Sequence, residues 1–199
     1  MTVTRTAQLS RKTGETDVAL TLGLSGGGAG TRETGVGFFD HMLDLLARHG
    51  RLDLDVKVTG DLQTGSHHTV EDTGIVLGQA LDQALGDRRG IVRYGHAVVP
   101  MDEARALCAI DLSGRPYSAV GGLPVPPGEI AGFEHEVAEE FFRAVAGSGR
   151  LTLHLELQAG SNAHHMIEAQ FKAFARALRV AVDIDPAQQG VPSTKGTLT

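Results

Sequence analysis

Histidine is the first chemistry this chain offers: there are nine in 199 residues, and four of them stand as two adjacent pairs. The pairs share one pattern, His67-His68-Thr-Val-Glu71 and His164-His165-Met-Ile-Glu168. On a helix, His67 and Glu71 are four residues apart and point the same way, while His68 is rotated by roughly 100°. One such motif can therefore serve two metal ions, and His164, His165 and Glu168 repeat the device. Each copy gains a further histidine near a helix start, His41 in Gly37-Phe-Phe-Asp-His41 and His135 in Gly132-Phe-Glu-His135. Six imidazoles and two carboxylates shared between two ions supply about four protein ligands each and leave positions open for water or substrate, as catalytic metal sites require. A single His-His pair on an exposed helix face reads as solvated surface. Two matched copies, each with a matched third histidine, read as metal ligands. Imidazole-rich sites suit zinc, iron, nickel and manganese, and carboxylates with open octahedral positions move the choice toward manganese. His49, His96 and His154 are not assigned to metal; His49 shares a helix with His41 and can line a pocket beside it.

The elements that must position these ligands come in two copies. After each Gly-Phe…His segment lies a stretch of helical apolar spacing, then Gly50-Arg-Leu-Asp-Leu-Asp-Val56 or Gly149-Arg-Leu-Thr-Leu-His-Leu155, both alternating as strands with one buried face. Each His-His-x-x-Glu motif then leads another apolar-periodic helix. Upstream, Glu15 precedes Gly23-Leu-Ser-Gly26 by eight residues, and Glu103 precedes Asp111-Leu-Ser-Gly114 by eight. The spacing between copies drifts from 88 residues at the Leu-Ser-Gly pairs to 97 at the His-His pairs. A fixed order of matched landmarks marks internal duplication. The expected fold is α+β: two similar halves, each a mostly antiparallel sheet covered on one face by helices. Residues 1–88 form the first half-repeat and 89–199 the second with a C-terminal tail, together one compact catalytic domain. Gly86 and Gly147 are expected to cap helices, with Pro186 stopping the last one. Gly26-Gly-Gly-Ala-Gly30 lacks the Gly-Lys-Ser/Thr ending of a phosphate loop and reads as a flexible hairpin turn; Leu123-Pro-Val-Pro-Pro-Gly128 reads as a connecting loop.

Composition narrows the function classes. At 41% apolar residues the chain can bury a substantial core. A net charge of -6 argues against a nucleic-acid surface, so any anion site must be a local cluster of basic groups. Met1 to Lys12 has no apolar run, and no stretch is long enough to span a bilayer, which points to a cytoplasmic protein with no membrane partner. The lone Cys108, inside Ala106-Leu-Cys-Ala-Ile110, reads as a buried strand residue rather than a nucleophile.

Taken together, Phe39-Asp-His-Met-Leu43, His67-His-Thr-Val-Glu-Asp72, Met101-Asp-Glu-Ala104, Asp111-Leu-Ser-Gly-Arg-Pro116, His164-His-Met-Ile-Glu168 and Pro192-Ser-Thr-Lys-Gly196 resemble the imidazoleglycerol-phosphate dehydratase family from about Arg5 onward. The resemblance implies a hydro-lyase of histidine biosynthesis that converts imidazole glycerol phosphate to imidazole acetol phosphate. It implies two Mn²⁺ ions per active site, with His41, His67, His68, Glu71, His135, His164, His165 and Glu168 as ligands, the same eight that the duplication selects. It also implies substrate contacts from Glu15, the segment from His41 to His49, Arg93, Arg115 and Ser193 to Lys195, and a twenty-four-subunit homo-oligomer with active sites completed across subunit interfaces. Arg, Lys and Ser suit a phosphate monoester by charge and hydrogen-bonding geometry. The mechanism expected on this resemblance passes through an imidazolate-type intermediate that helps expel the neighbouring hydroxyl. Glu15, which lies outside the metal set, is the first candidate for proton transfer, and Asp102 and Glu103 are the second. Two other classes fit part of the pattern: a metal-dependent hydrolase, which would release inorganic phosphate, and a metal-storage or sensing module, which would leave Arg93, Arg115 and Lys195 unexplained.

Overall fold

The computed structural model describes residues 5–198. In the first part of the chain, strands β1 (Thr6–Lys12), β2 (Thr16–Gly23) and β3 (Arg32–Glu33) lead to helix α1 (Gly37–Gly50), strand β4 (Asp53–Gly60), a single 3-10 turn at Leu62–Thr64 and helix α2 (His67–Leu85). The second part repeats this with β5 (Tyr94–Met101), β6 (Ala104–Asp111), β7 (Tyr117–Gly122), a short pair β8 (Glu129–Ile130) and β9 (Phe133–Glu134), then α3 (Val137–Ser148), β10 (Thr152–Ala159) and α4 (Ala163–Val182). The sheets run β1-β2-β4-β3 and β5-β6-β10-β7. In each, the first three strands pair antiparallel and the last pairs parallel. The expected α+β class, with two similar halves, is the one observed.

Alternation explains why one face of each sheet is covered. Val18, Leu20 and Leu22 of β2, Leu54, Val56 and Val58 of β4, and Leu153, Leu155 and Leu157 of β10 are all buried, with more exposed residues between them. α2 packs on β1, β2 and β4, and α4 packs on β5, β6 and β10. The other two helices cross over: α1 packs against α4, and α3 against α2. Four helices therefore lie between two sheets, and each half's first helix rests on the other half's second helix.

All seven phenylalanines of the chain meet in this layer. Ring contacts run from Phe38 and Phe39 of α1 through Phe133 of β9 and Phe141 and Phe142 of α3 to Phe171 and Phe174 of α4, with centroids 4.7 to 5.9 Å apart. Burying each such side chain stabilises by about 1.5–3 kcal/mol, and favourable ring geometry adds about 0.5–1.5 kcal/mol per pair.

Two local expectations are corrected. The Gly26–Gly30 segment is not a hairpin turn, because β3 pairs parallel with β4 rather than antiparallel with β2. It is a strap along β4: Asp53 Oδ1 accepts from the amides of Gly27 and Ala29 at 2.9 and 3.0 Å, and a Cβ on Gly30 would lie 2.3 Å from the Leu54 carbonyl oxygen. Gly147 falls inside the last turn of α3, and Gly149 occupies the cap, whereas Gly86 caps α2 as expected. The Pro-rich segment 123–128 connects β7 to β8, and α4 ends at Val182, ahead of Pro186. Among the described residues, no helix is long and apolar enough to cross a membrane.

Backbone approach makes one glycine irreplaceable and leaves another open. A Cβ on Gly95 of β5 would sit 1.9 Å from the Ala177 carbonyl oxygen of α4, whereas one on Gly147 meets nothing within 4 Å. Gly95→Ala is expected to destabilise by about 1–3 kcal/mol through forced separation of strand and helix. Gly147→Ala is expected to stabilise by roughly 0.5–1 kcal/mol. Thermal or urea unfolding midpoints decide the matter, and a Gly95→Ala midpoint at or above wild type would remove the close-packing account.

Candidate metal centre

Helix starts carry most of the candidate ligands. α2 begins at His67, and α4 begins one residue before His164, where the Asn162 side chain caps it by accepting from the His164 amide at 3.0 Å. The paired histidines therefore emerge from first turns, at the edge of the helix layer rather than in its core. α1 supplies His41 one turn after its start. Because α1 packs on α4, His41 meets the second His-His-x-x-Glu motif rather than the first.

That meeting forms the tightest cluster. His41, His164 and Glu168 each offer a ligand atom within 4.8 Å of the others. Glu168 Oε2 lies 3.1 Å from His164 Nε2 and 3.6 Å from His41 Nε2, while Lys172 Nζ sits 2.5 Å from Oε1. The Phe38 ring packs edge-on against His164 at 5.0 Å and limits its movement. Glu168 is buried, and burial opposes its charge; Lys172, His164 and His41 outweigh this and hold the carboxyl below the ordinary carboxylate range. His49 is half-buried on the same helix as His41, and burial, followed by Lys172, Arg176 and Arg48, weakens its hold on a proton.

The other candidates are arranged more openly. His67 Nε2 lies 3.5 Å from Glu71 Oε2. His135 is held by its Nδ1, 2.6 Å from the Pro126 carbonyl oxygen, which leaves a buried Nε2 without a hydrogen-bond partner. The carbonyl can only accept, so Nδ1 donates and Nε2 presents a lone pair, the form a metal ligand needs. The strand just ahead of His135 is tied to the α2 start, since Glu134 Oε2 accepts from the Ser66 amide at 3.1 Å. His67, Glu71 and His135 do not close to the spacing of the first cluster.

His68 and His165 each place Nδ1 on a carboxylate outside both groups. His68 Nδ1 lies 3.0 Å from Asp61 Oδ2, and His165 Nδ1 lies 2.8 Å from Glu103 Oε2. Hydrogen bonding to its carboxylate raises the proton affinity of each ring. Glu103 also accepts from the Ser161 and Asn162 amides, and these bonds, led by the one with His165, lower its pKa to about 2. Glu15, its repeat partner, is exposed and lies 3.7 Å from His68 Nε2, beyond hydrogen-bonding distance. Asp102 is more exposed still, 3.9 Å from His165 Nε2.

The four basic and hydroxyl candidates gather elsewhere. Arg93, Arg115, Ser193 and Lys195 line one open depression of about 1010 Å³, which contains none of the histidine or glutamate candidates. Asp111 holds Arg93 by two bonds of 2.7 and 3.1 Å, and the Pro192 carbonyl accepts from Arg93 Nη1 at 2.8 Å, which anchors the tail. Three groups near the ligands escaped sequence reading. Lys172 had a usable signal, four residues after Glu168 on one helix face. Glu134 had none, since its partner Ser66 is 68 residues away, and Asp61 reaches His68 through the shape of the turn between β4 and α2, which no motif announces.

These features define a class: a duplicated α+β protein with helix-borne histidines and glutamates suited to divalent metal, and a separate depression suited to a small anion. Comparison with known proteins narrows it. The model of the imidazoleglycerol-phosphate dehydratase family matches residues 34–178. Curated relatives of that name include one from Jannaschia sp. (strain CCS1), 55% identical with 98% of this chain and 100% of the relative covered. Another, from Symbiobacterium thermophilum, is 57% identical with 98% and 93% covered. Among solved structures, the Staphylococcus aureus imidazoleglycerol-phosphate dehydratase superposes with a TM-score of 0.81 at 39% identity, covering 90% of this chain and 99% of that one. The Pyrococcus furiosus enzyme, in complex with (S)-C348, gives 0.82 at 37%, covering 96% and 100%. The chain belongs to the imidazoleglycerol-phosphate dehydratase family, and it is accordingly an enzyme of the hydro-lyase class.

The geometry separates the candidate ligand histidines from the rest. His41→Ala is expected to lower bound divalent metal, measured by elemental analysis after desalting, whereas His154→Ala, on the outer face of β10, leaves it unchanged. Equal metal content in the two variants would detach His41 from the centre.

Proposed function

We propose that this chain removes water from imidazole glycerol phosphate to give imidazole acetol phosphate in histidine biosynthesis, with two divalent ions, Mn²⁺ on our reading, at each active site. The observation that carries this is the buried, charged Glu168 between His41 and His164. The donor set fits a metal of this kind: imidazole and carboxylate without thiolate, His135 Nε2 buried with its lone pair free, and His68 and His165 oriented through Nδ1. When bound, such ions supply Lewis acidity and a template for the substrate's imidazole ring. Two half-repeats, 1–88 and 89–199, make one catalytic unit. His68 and His165 lie outside the His41–His164–Glu168 cluster, which supports a site completed by a neighbouring copy, in an assembly of twenty-four subunits.

The remaining work falls to side chains. Arg93, Arg115, Ser193 and Lys195 bind the phosphate, with Arg93 pre-set by Asp111. His49 lines the pocket beside His41. The hydroxyl on the carbon next to the ring departs as water, and a proton leaves the following carbon. Glu15 is the group best placed to move that proton, because its carboxylate is exposed and not committed to hydrogen bonds with His68. The enol that forms tautomerises to the ketone, which balances as loss of one water with the phosphate ester intact.

Purified protein is expected to form the ketone without releasing inorganic phosphate, to lose this activity on chelation, and to regain it with Mn²⁺. Phosphate release would favour a hydrolase, and absence of turnover in the metal-loaded protein would favour a binding module. Glu15→Gln is expected to cut turnover by about 10²- to 10⁴-fold at normal metal content; full turnover would remove Glu15 from proton transfer.

A further inference from the structure

The two halves use different carboxylates at matched places. β4 and β10 each follow a Gly-Arg-Leu segment, so Asp61, the residue after β4, corresponds to Gly160, the residue after β10. Asp61 holds His68 Nδ1 through both its oxygens, at 3.0 and 3.2 Å. Gly160 cannot do the same for His165: its φ is +150° and a Cβ there would lie 2.4 Å from Met166 Cγ. In the second half the bond to His165 Nδ1 comes instead from Glu103, at 2.8 Å, out of the turn between β5 and β6. Glu103 is braced for this, with Oε1 accepting from the Ser161 and Asn162 amides at 3.1 and 2.8 Å while Oε2 takes the ring. Glu15 occupies the equivalent turn in the first half, but Asp61 already serves His68 there, so the Glu15 carboxylate stays free.

We infer that Asp61 and Glu103 are equivalent positioning residues, each fixing the Nδ1–H form of one histidine so that Nε2 of His68 and of His165 is presented as a lone pair for metal, and that this exchange of partners is what releases Glu15, alone of the duplicated glutamates, to meet substrate. Glu103 is therefore a holder of His165 and not a proton carrier. A carboxylate accepting from the far nitrogen both orients the ring and strengthens it as a ligand, and loss of such a partner weakens metal affinity by about 10- to 100-fold.

The inference rests on the metal-dependent reading of the same residues, and the experiment separates the two. Mn²⁺ affinity is measured by competition with a chelator on the full chain for wild type, Asp61→Ala, Glu103→Gln, Glu103→Ala and Glu15→Gln, with the unfolding midpoint of each metal-free protein recorded alongside. Asp61→Ala and Glu103→Ala are expected to bind Mn²⁺ about 10- to 100-fold more weakly. Glu103→Gln, which keeps an acceptor for the Ser161 and Asn162 amides, is expected to lose affinity without a fall in midpoint. Glu15→Gln retains wild-type affinity. Wild-type Mn²⁺ affinity in both Asp61→Ala and Glu103→Gln, with turnover lost as in Glu15→Gln, would overturn the assignment and return Glu103 to proton transfer. Absence of Mn²⁺ binding by the wild type would overturn the metal-dependent reading itself.

Discussion

Packing of α1 on α4, and of α3 on α2, is the constraint on which the rest depends. Each half's first helix reaches the edge strand of its own sheet, β3 or β7, and packs along the other half's second helix. The seam that results is filled by every phenylalanine the chain has, drawn from both halves. Gly74 and Gly78 let α2 approach α3 so closely that a Cβ on Gly78 would lie 2.7 Å from the Val145 carbonyl oxygen. Such a seam has little freedom to slide, because interiors at this density transmit displacement rather than absorb it. Ligand geometry at its edge inherits that rigidity.

One consequence is that the best-formed cluster belongs to neither half. His41 comes from α1 and reaches His164 and Glu168 across the seam. A buried carboxylate is unfavourable unless partnered. Glu168 has Lys172 on one oxygen and two imidazoles on the other, an arrangement available only after the halves have docked. Burial, charge and ligand placement are thus one condition: separating the halves would leave Glu168 without His41.

How much was legible in the sequence follows from the range of each interaction. The duplication, the sheet-and-helix class and the His-His-x-x-Glu motifs rest on contacts within a few residues, which periodicity reports directly. Which histidine meets which glutamate rests on packing between helices of different halves, and no local pattern encodes that. The strap at Gly26–Gly30 was misread for the same reason: its amides are held by Asp53 and its backbone lies on Leu54, both more than twenty residues downstream. Glu15 and Glu103 looked equivalent because their spacing to the Leu-Ser-Gly landmarks is identical. Only the structure distinguishes the glutamate bound to its histidine from the one that is not.

Duplication followed by local divergence fits what the proposed reaction demands. An imidazole ring has two nitrogens of similar chemistry, so a pair of near-identical metal-binding motifs is a natural match for it, and here the repeated positions are the histidines and glutamates themselves. The rest of the substrate has no such symmetry: one end carries a phosphate, and one carbon must lose a proton. Other features differ between the halves. Lys172 corresponds to Ile75 in the first half and Asp61 to Gly160 in the second, and Arg93, whose counterpart ahead of β1 is Arg5, is the one of the two anchored to the tail at Pro192. On this reading, the positions that stayed alike bind the symmetric part of the substrate, while drift in their partners, Asp61 for one histidine and Glu103 for the other, leaves Glu15 free for the directional step.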